Sequence, residues 1–185
     1  MDYEVREPPK AEPLTLDEVK VWLRTITGDT VEDEPVIAPL IAAAREFAEN
    51  VTGQALAGQT IAAWPEALTE MMRMPLGPVG NVLGVTLTLE DGTTQTIHDG
   101  DYIVLSSDDV YVIRMPNVRL RAVRPVEIVY TAGFTELPKA LRQAMLLLIA
   151  HWYTNREAVV TGNVAAAEVP GAARTLLNQY KRWWC

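Results

Sequence analysis

Apolar positions along this chain recur with two different periods, and the period switches twice. In the first stretch it is helical: Leu16, Val19, Trp22, Leu23 and Ile26 fall at i, i+3, i+4 and i+7 spacing, one stripe of a short helix. Thr15 stands just before it with Glu18 three residues on. That is a capping box, in which the Thr15 hydroxyl accepts the Glu18 N–H and the Glu18 carboxylate reaches back. Gly28 ends the run. A second stripe, Ile37, Leu40, Ile41, Ala44, Phe47, Ala48 and Val51, opens at Glu34-Pro35 and closes at Thr52-Gly53. Proline suits the first turn, where its missing N–H would have no partner anyway. Ala42, Ala43 and Ala44 keep part of this helix thin enough for close approach by another.

From Gln54 the period drops towards 2. Residues 60–64, 71–74, 82–89, 94–97, 102–105, 111–113 and 126–130 read as short strands, with a Pro/Gly connection over 75–82. Asp91-Gly92 is a hairpin signal. The set predicts an antiparallel sheet of four to six strands. Thr131-Ala132-Gly133 then returns the chain to helix. The third helix, 138–155, is apolar on every side from Ala144 to Ala150, which demands burial all round. Residues 161–169 predict a loop or a marginal helix. A last helix over 170–180 carries Ala173, Leu176, Leu177 and Tyr180 on one face.

The order helix, helix, sheet, helix, helix predicts an α+β fold, a helical bundle of about four helices with an inserted antiparallel β-sheet subdomain. Residues 1–13, with three of the twelve prolines, predict an extended and mobile arm. The expected division is a helical core of 14–57 and 131–182, a β-rich insertion of 58–130, and a tail of 183–185.

Composition narrows the function classes. The 185 residues are 49% hydrophobic, enough for a real core, and no apolar run reaches bilayer-spanning length. The beginning is charged and Pro-rich and lacks the apolar heart of a signal peptide, so a soluble intracellular protein is expected. One cysteine, Cys185, allows neither an internal disulfide nor a cysteine-based zinc site, and two histidines, His98 and His151, add little. No cofactor or metal is expected. The net charge of −8 is uneven: residues 1–50 carry 12 acidic and 5 basic side chains, residues 151–185 carry 2 and 4. Excess negative charge disfavours phosphate binding. The asymmetry suits either solubility or a head-to-tail meeting of copies.

The catalytic motifs are missing. Gly77, Gly80 and Gly84 do not follow a strand and open a helix, as phosphate loops require. The only serines, Ser106 and Ser107, sit in a turn-like SSDD run. His151 and Glu157 are six apart and do not share a helical face, so His151 reads as a cap on the apolar helix. The acids Asp17, Glu18, Glu32, Asp33 and Glu34 stand at helix starts, where they complement the helix dipole. Arg156 and Glu157 suit an inter-subunit salt bridge or a solvated end. Trp183 and Trp184, adjacent after Lys181 and Arg182, suit an anchor on a partner or a dock onto the chain's own core. No enzyme is expected; a small-molecule or peptide-binding α+β module is the competing function.

Several segments together resemble the head–tail connector family of tailed bacteriophages, also called adaptor or head-completion proteins, with prophage and gene transfer agent members. They are LTLDEVKVWLR (14–24), IAPLIAAAREFAENVTG (37–53), QT-x-x-x-W (59–64) and, most strongly, VYTAGFTELPKALRQAMLLLIAHWYTNREAV (129–159). The resemblance implies a virion protein at the head–tail junction, assembled in the host cytoplasm. It implies a ring, usually of twelve copies, under the portal protein, extending the DNA channel and receiving a tail-side stopper or tail terminator. On that basis Lys181, Arg182, Trp183 and Trp184 are expected to bind the portal. Arg156, Glu157, Ala43 and Ala44 are expected at subunit interfaces. Asp17, Glu18, Glu32, Asp33 and Glu34 are expected to line a channel through which DNA passes without specific binding.

Overall fold

The computed structural model describes residues 2–27, 34–65, 71–88, 92–97, 102–107, 110–114, 126–155 and 169–182. They form a mixed α+β fold, an antiparallel five-stranded sheet with a second, three-stranded one, and four helices among the described residues. Contacts divide the chain into a sheet unit, 1–10 with 53–135, and a helical unit, 11–52 with 136–185.

In the sheet unit the strands are β1 (Asp2–Glu7), β2 (Gln59–Trp64), β3 (Met71–Arg73), β4 (Val79–Thr88), β5 (Thr94–Ile97), β6 (Ile103–Ser107), β7 (Val110–Arg114) and β8 (Glu127–Ala132). One sheet was expected; there are two, of order β1-β2-β8-β4-β5 and β3-β7-β6. Period-2 patterning marks strands but not their partners, and pairing is non-local. The larger sheet takes a register that pairs Ile61 with Tyr130, Ala63 with Ile128 and Val85 with both Ile128 and Ile97. These residues share one face, and Met72, Met74, Leu76 and Val126 join them in a buried cluster. The Tyr130 hydroxyl lies inside that cluster and is satisfied there: it accepts the Leu76 N–H (3.3 Å) and donates to the Leu76 carbonyl (3.1 Å). Gly133 follows β8 with φ 136°, and a Cβ on it would stand 2.4 Å from the Ala57 carbonyl oxygen, so no larger residue fits.

The expected mobile arm is corrected. Asp2–Glu7 is extended but paired, antiparallel to β2. All six of its side chains are exposed, so apolar patterning could not reveal it. Backbone pairing holds it, helped by an Arg6–Glu127 ion pair and a Thr60 hydroxyl donating to Glu7 (3.1 Å).

In the helical unit α1 is Leu16–Thr27, α2 Glu34–Thr52, α3 Lys139–Thr154 and α4 Gly171–Asn178. The Thr15 cap forms, with Glu18 N–H donating to Thr15 Oγ1 (3.3 Å). The reciprocal half does not: the Glu18 carboxylate pairs with Arg142 of α3, a charged partner that competes better than a lone backbone N–H. Gly53, at φ 68°, ends α2 in the left-handed conformation. Leu23, Ile37, Ile41, Ala48, Leu141, Met145, Leu148, Ile149 and Leu177 are buried and form the interior between these helices. Residues 161–168, expected as loop or marginal helix, lie outside the described residues.

Candidate assembly surfaces

Burial sorts the candidate surface residues by what they touch in their own subunit. On α2, Ala43 is exposed while Ala44 is fully buried. Adjacent helix positions are about 100° apart, so they cannot both face a neighbour. Ala44 is therefore corrected from the interface to the subunit's own core. Of the acids, Asp17 is exposed and projects from the first turn of α1. Glu18 is only half-exposed, held by Arg142, and Glu34 pairs with Lys20 across to α1. Arg156, Glu157, Glu32 and Asp33 lie outside the described residues.

The end of the chain is built on α4. Pro170 sets its start, and the Thr175 hydroxyl donates to the Gly171 carbonyl (2.9 Å), tightening the first turn. Beyond it Lys181 is exposed but Arg182 is not, with 5% of its surface accessible. The Arg182 N–H donates to the Thr52 carbonyl at the end of α2 (2.9 Å), satisfying one of that helix's unpaired C-terminal carbonyls. Arg182 therefore clamps the chain end to α2, whereas Lys181 faces out. Trp183 and Trp184 lie outside the described residues. Beside this clamp is an open cleft of about 330 Å³, lined by Phe47 and Val51 of α2, Leu177 and Asn178 of α4, and Val169, with Arg174 and Lys181 on its rim.

His151 acts as part of a helix cap. The Asn155 side-chain amide donates to the His151 carbonyl (2.8 Å) and lies 3.2 Å from His151 Nδ1. Next to it, Trp152 meets Phe47 edge to face, ring centroids 6.0 Å apart. Among the described residues no group of three or more His, Cys, Asp or Glu stands together as metal ligands would. None of the described helices is long and apolar enough to cross a membrane.

A family described as head completion protein matches residues 12–183. The chain belongs to the head completion protein family. No curated protein matches it. Solved structures share its fold over 98% of this chain and 95% of theirs. They include a chain of the virion of a native gene transfer agent particle (TM-score 0.78, 23% identity), one of the neck of the empty particle computed with C6 symmetry (0.76, 22%), and one of the native neck computed with C12 symmetry (0.74, 21%). The role that follows from the family is structural, in the connection of head to tail.

Seen as a head completion protein, the chain carries two features that sequence reading missed. Arg45 is nearly buried and gathers Glu12 (2.8 Å), Glu49 (2.9 Å) and Glu46 (3.5 Å). Burial opposes its charge, but the hydrogen bond it donates to Glu12 and the fields of Glu49 and Glu12 outweigh that and raise its pKa. The i, i+4 spacing to Glu49 was a visible signal; Glu12, 33 residues away, was not. Arg182 gave no sign of burial, because a basic residue near a chain end has no pattern to distinguish clamp from surface. The head completion protein also exposes Ile103, Val104 and Leu105 on β6, an edge strand of the smaller sheet.

Proposed function

We propose that copies of this head completion protein form a ring, of twelve subunits, at the head–tail junction. The ring sits between the portal and a tail-side stopper or tail terminator, extends the DNA channel, and performs no catalysis. The family match over residues 12–183 carries this reading, and the likeness of fold to chains from necks computed with C6 and C12 symmetry supports it. In this reading residues 14–57 and 131–182 are a helical connector core and residues 58–130 a β-rich insertion. The core builds the ring wall. Ala43, exposed on its thin helix, and the Arg156–Glu157 pair belong to contacts between subunits.

The portal contact is assigned to Lys181, Trp183 and Trp184. Arg182 serves it indirectly by tying the chain end to α2. Asp17 is the first candidate for the channel wall, since its carboxylate is exposed; Glu18 and Glu34 are partly neutralised by Arg142 and Lys20. An acidic lumen repels phosphates and lets duplex DNA slide.

The test is assembly on isolated portal rings, followed by electron microscopy. The full chain is expected to add a closed ring to the portal, and a chain lacking residues 183–185 is expected to keep its fold and fail to dock. A full chain that never binds portal, at any concentration, sinks the reading; docking by the shortened chain removes the tail assignment alone.

A further inference from the structure

Helix α2 carries opposite chemistry at its two ends. At its start Glu34, Pro35 and Val36 are all exposed, and Glu32 and Asp33 precede them in sequence. At its finish Phe47 and Val51 form the apolar floor of the cleft, with Leu177, and Arg174 and Lys181 supply a cationic rim. The segment 169–182 contains three basic residues and no acidic one. An exposed valine two residues after an exposed carboxylate is what an apolar floor with a basic rim would receive.

The two surfaces cannot meet within one chain. Seventeen residues of helix separate Glu34 from Val51, about 25 Å at 1.5 Å per residue. A rigid rod keeps its ends apart, so the cleft of one copy is accessible only to the α2 start of another. Such a contact joins different patches on the two partners and is head-to-tail, the type that closes into a ring.

We infer that the cleft between α2 and α4 is the socket for a second copy of this chain, which inserts the acidic start of its α2, with Val36 on the apolar floor and Glu34 against Arg174 and Lys181. This rests on the ring reading above and names its subunit contact. It also moves Glu34, which pairs with Lys20 of its own chain, from the channel wall to the subunit boundary, and Lys181 from the portal contact to the same boundary, leaving Trp183 and Trp184 for the portal.

The experiment uses three full-length variants: Arg174→Glu with Lys181→Glu, Glu34→Lys, and the milder Arg174→Gln with Lys181→Gln. Self-association is followed by native mass measurement and ring formation by electron microscopy, with and without portal, after thermal melts establish folding. The two charge reversals are each expected to weaken self-association by roughly tenfold or more, and the Gln variant by less, with a flatter salt dependence. Mixing the two reversed chains should restore rings, because both contacts around an alternating ring are then complementary. Wild-type rings accompanied by variants that assemble equally well overturn the socket while leaving the ring reading intact. A wild-type chain that forms no ring overturns both. Self-association that depends on residues 183–185 and ignores the charge variants assigns the cleft to the Trp tail instead, and overturns the acidic occupant.

Discussion

Helices α3 and α4 pack against each other yet use their surfaces in opposite ways. Eight of the sixteen residues of α3 are buried, including Met145, Leu148, Ile149 and Ala150 in close succession. In α4 only Ala173 and Leu177 of eight are buried, and Arg174 and Asn178 stand exposed. The difference separates two tasks. An apolar helix that its own subunit covers contributes stability and has little left to offer a partner. An amphipathic helix with a narrow buried stripe is held along that stripe and leaves most of its surface for recognition. The apolar stretch of α3 demands burial all round when read as sequence, and the structure supplies it mainly inside the chain. The surface for assembly is carried by α4 and the chain end beyond it.

This contrast breaks most readily at Leu148, which is fully buried. Leu148→Ala is expected to cost about 2–5 kcal/mol, measured by denaturant unfolding, through lost transfer energy and the cavity left behind. Leu177→Ala removes the same group from α4, where the open cleft alongside lets neighbours and water relax into the space. We expect about 2 kcal/mol, at the low end of such changes. Equal losses at the two sites would erase the distinction between the helices.

Arg45, on the helix that supports both, sharpens the comparison. Arg45→Gln should cost about 1–2 kcal/mol, because the nearly buried Glu49 carboxylate loses its charged partner. The pH dependence has a definite sign. The folded-state pKa of Arg45 lies above its unfolded value, so its stabilisation is fully present below the unfolded pKa and disappears only as pH rises through the folded one. Between about pH 6 and 9 the difference between wild type and Arg45→Gln should therefore stay constant. A difference that shrinks over that range would contradict the assigned network.

The smallest expected effect is on α4. Arg174→Gln should change unfolding free energy by no more than about 0.5 kcal/mol, as for other exposed positions, while weakening self-association. A large stability loss there, with assembly unchanged, would reverse the roles given to the two helices.

Much of this was legible along the chain. The bounds of α2 and α3 follow from apolar periodicity and from the Pro and Gly residues that flank them. The strands from β2 to β8 follow from alternation and turn residues. What could not be read was β1, whose side chains are all exposed, and the split of the strands between two sheets. The partners of charged residues were equally hidden. Glu18 looked like half of a capping box, and it is Arg142, 124 residues away, that takes its carboxylate.

By itself the sequence determined local states: where helices start and stop, where strands alternate, which stretches are acidic, and, through segments in a particular order, a resemblance to head completion proteins. Those properties depend on neighbours within about one or two turns. Only the tertiary structure decided that Ala44 faces inward while Ala43 faces out, that Arg182 clamps rather than protrudes, and that an apolar floor and two cations meet in one cleft. Each depends on residues far apart in the chain brought within bonding distance, and no local period encodes that.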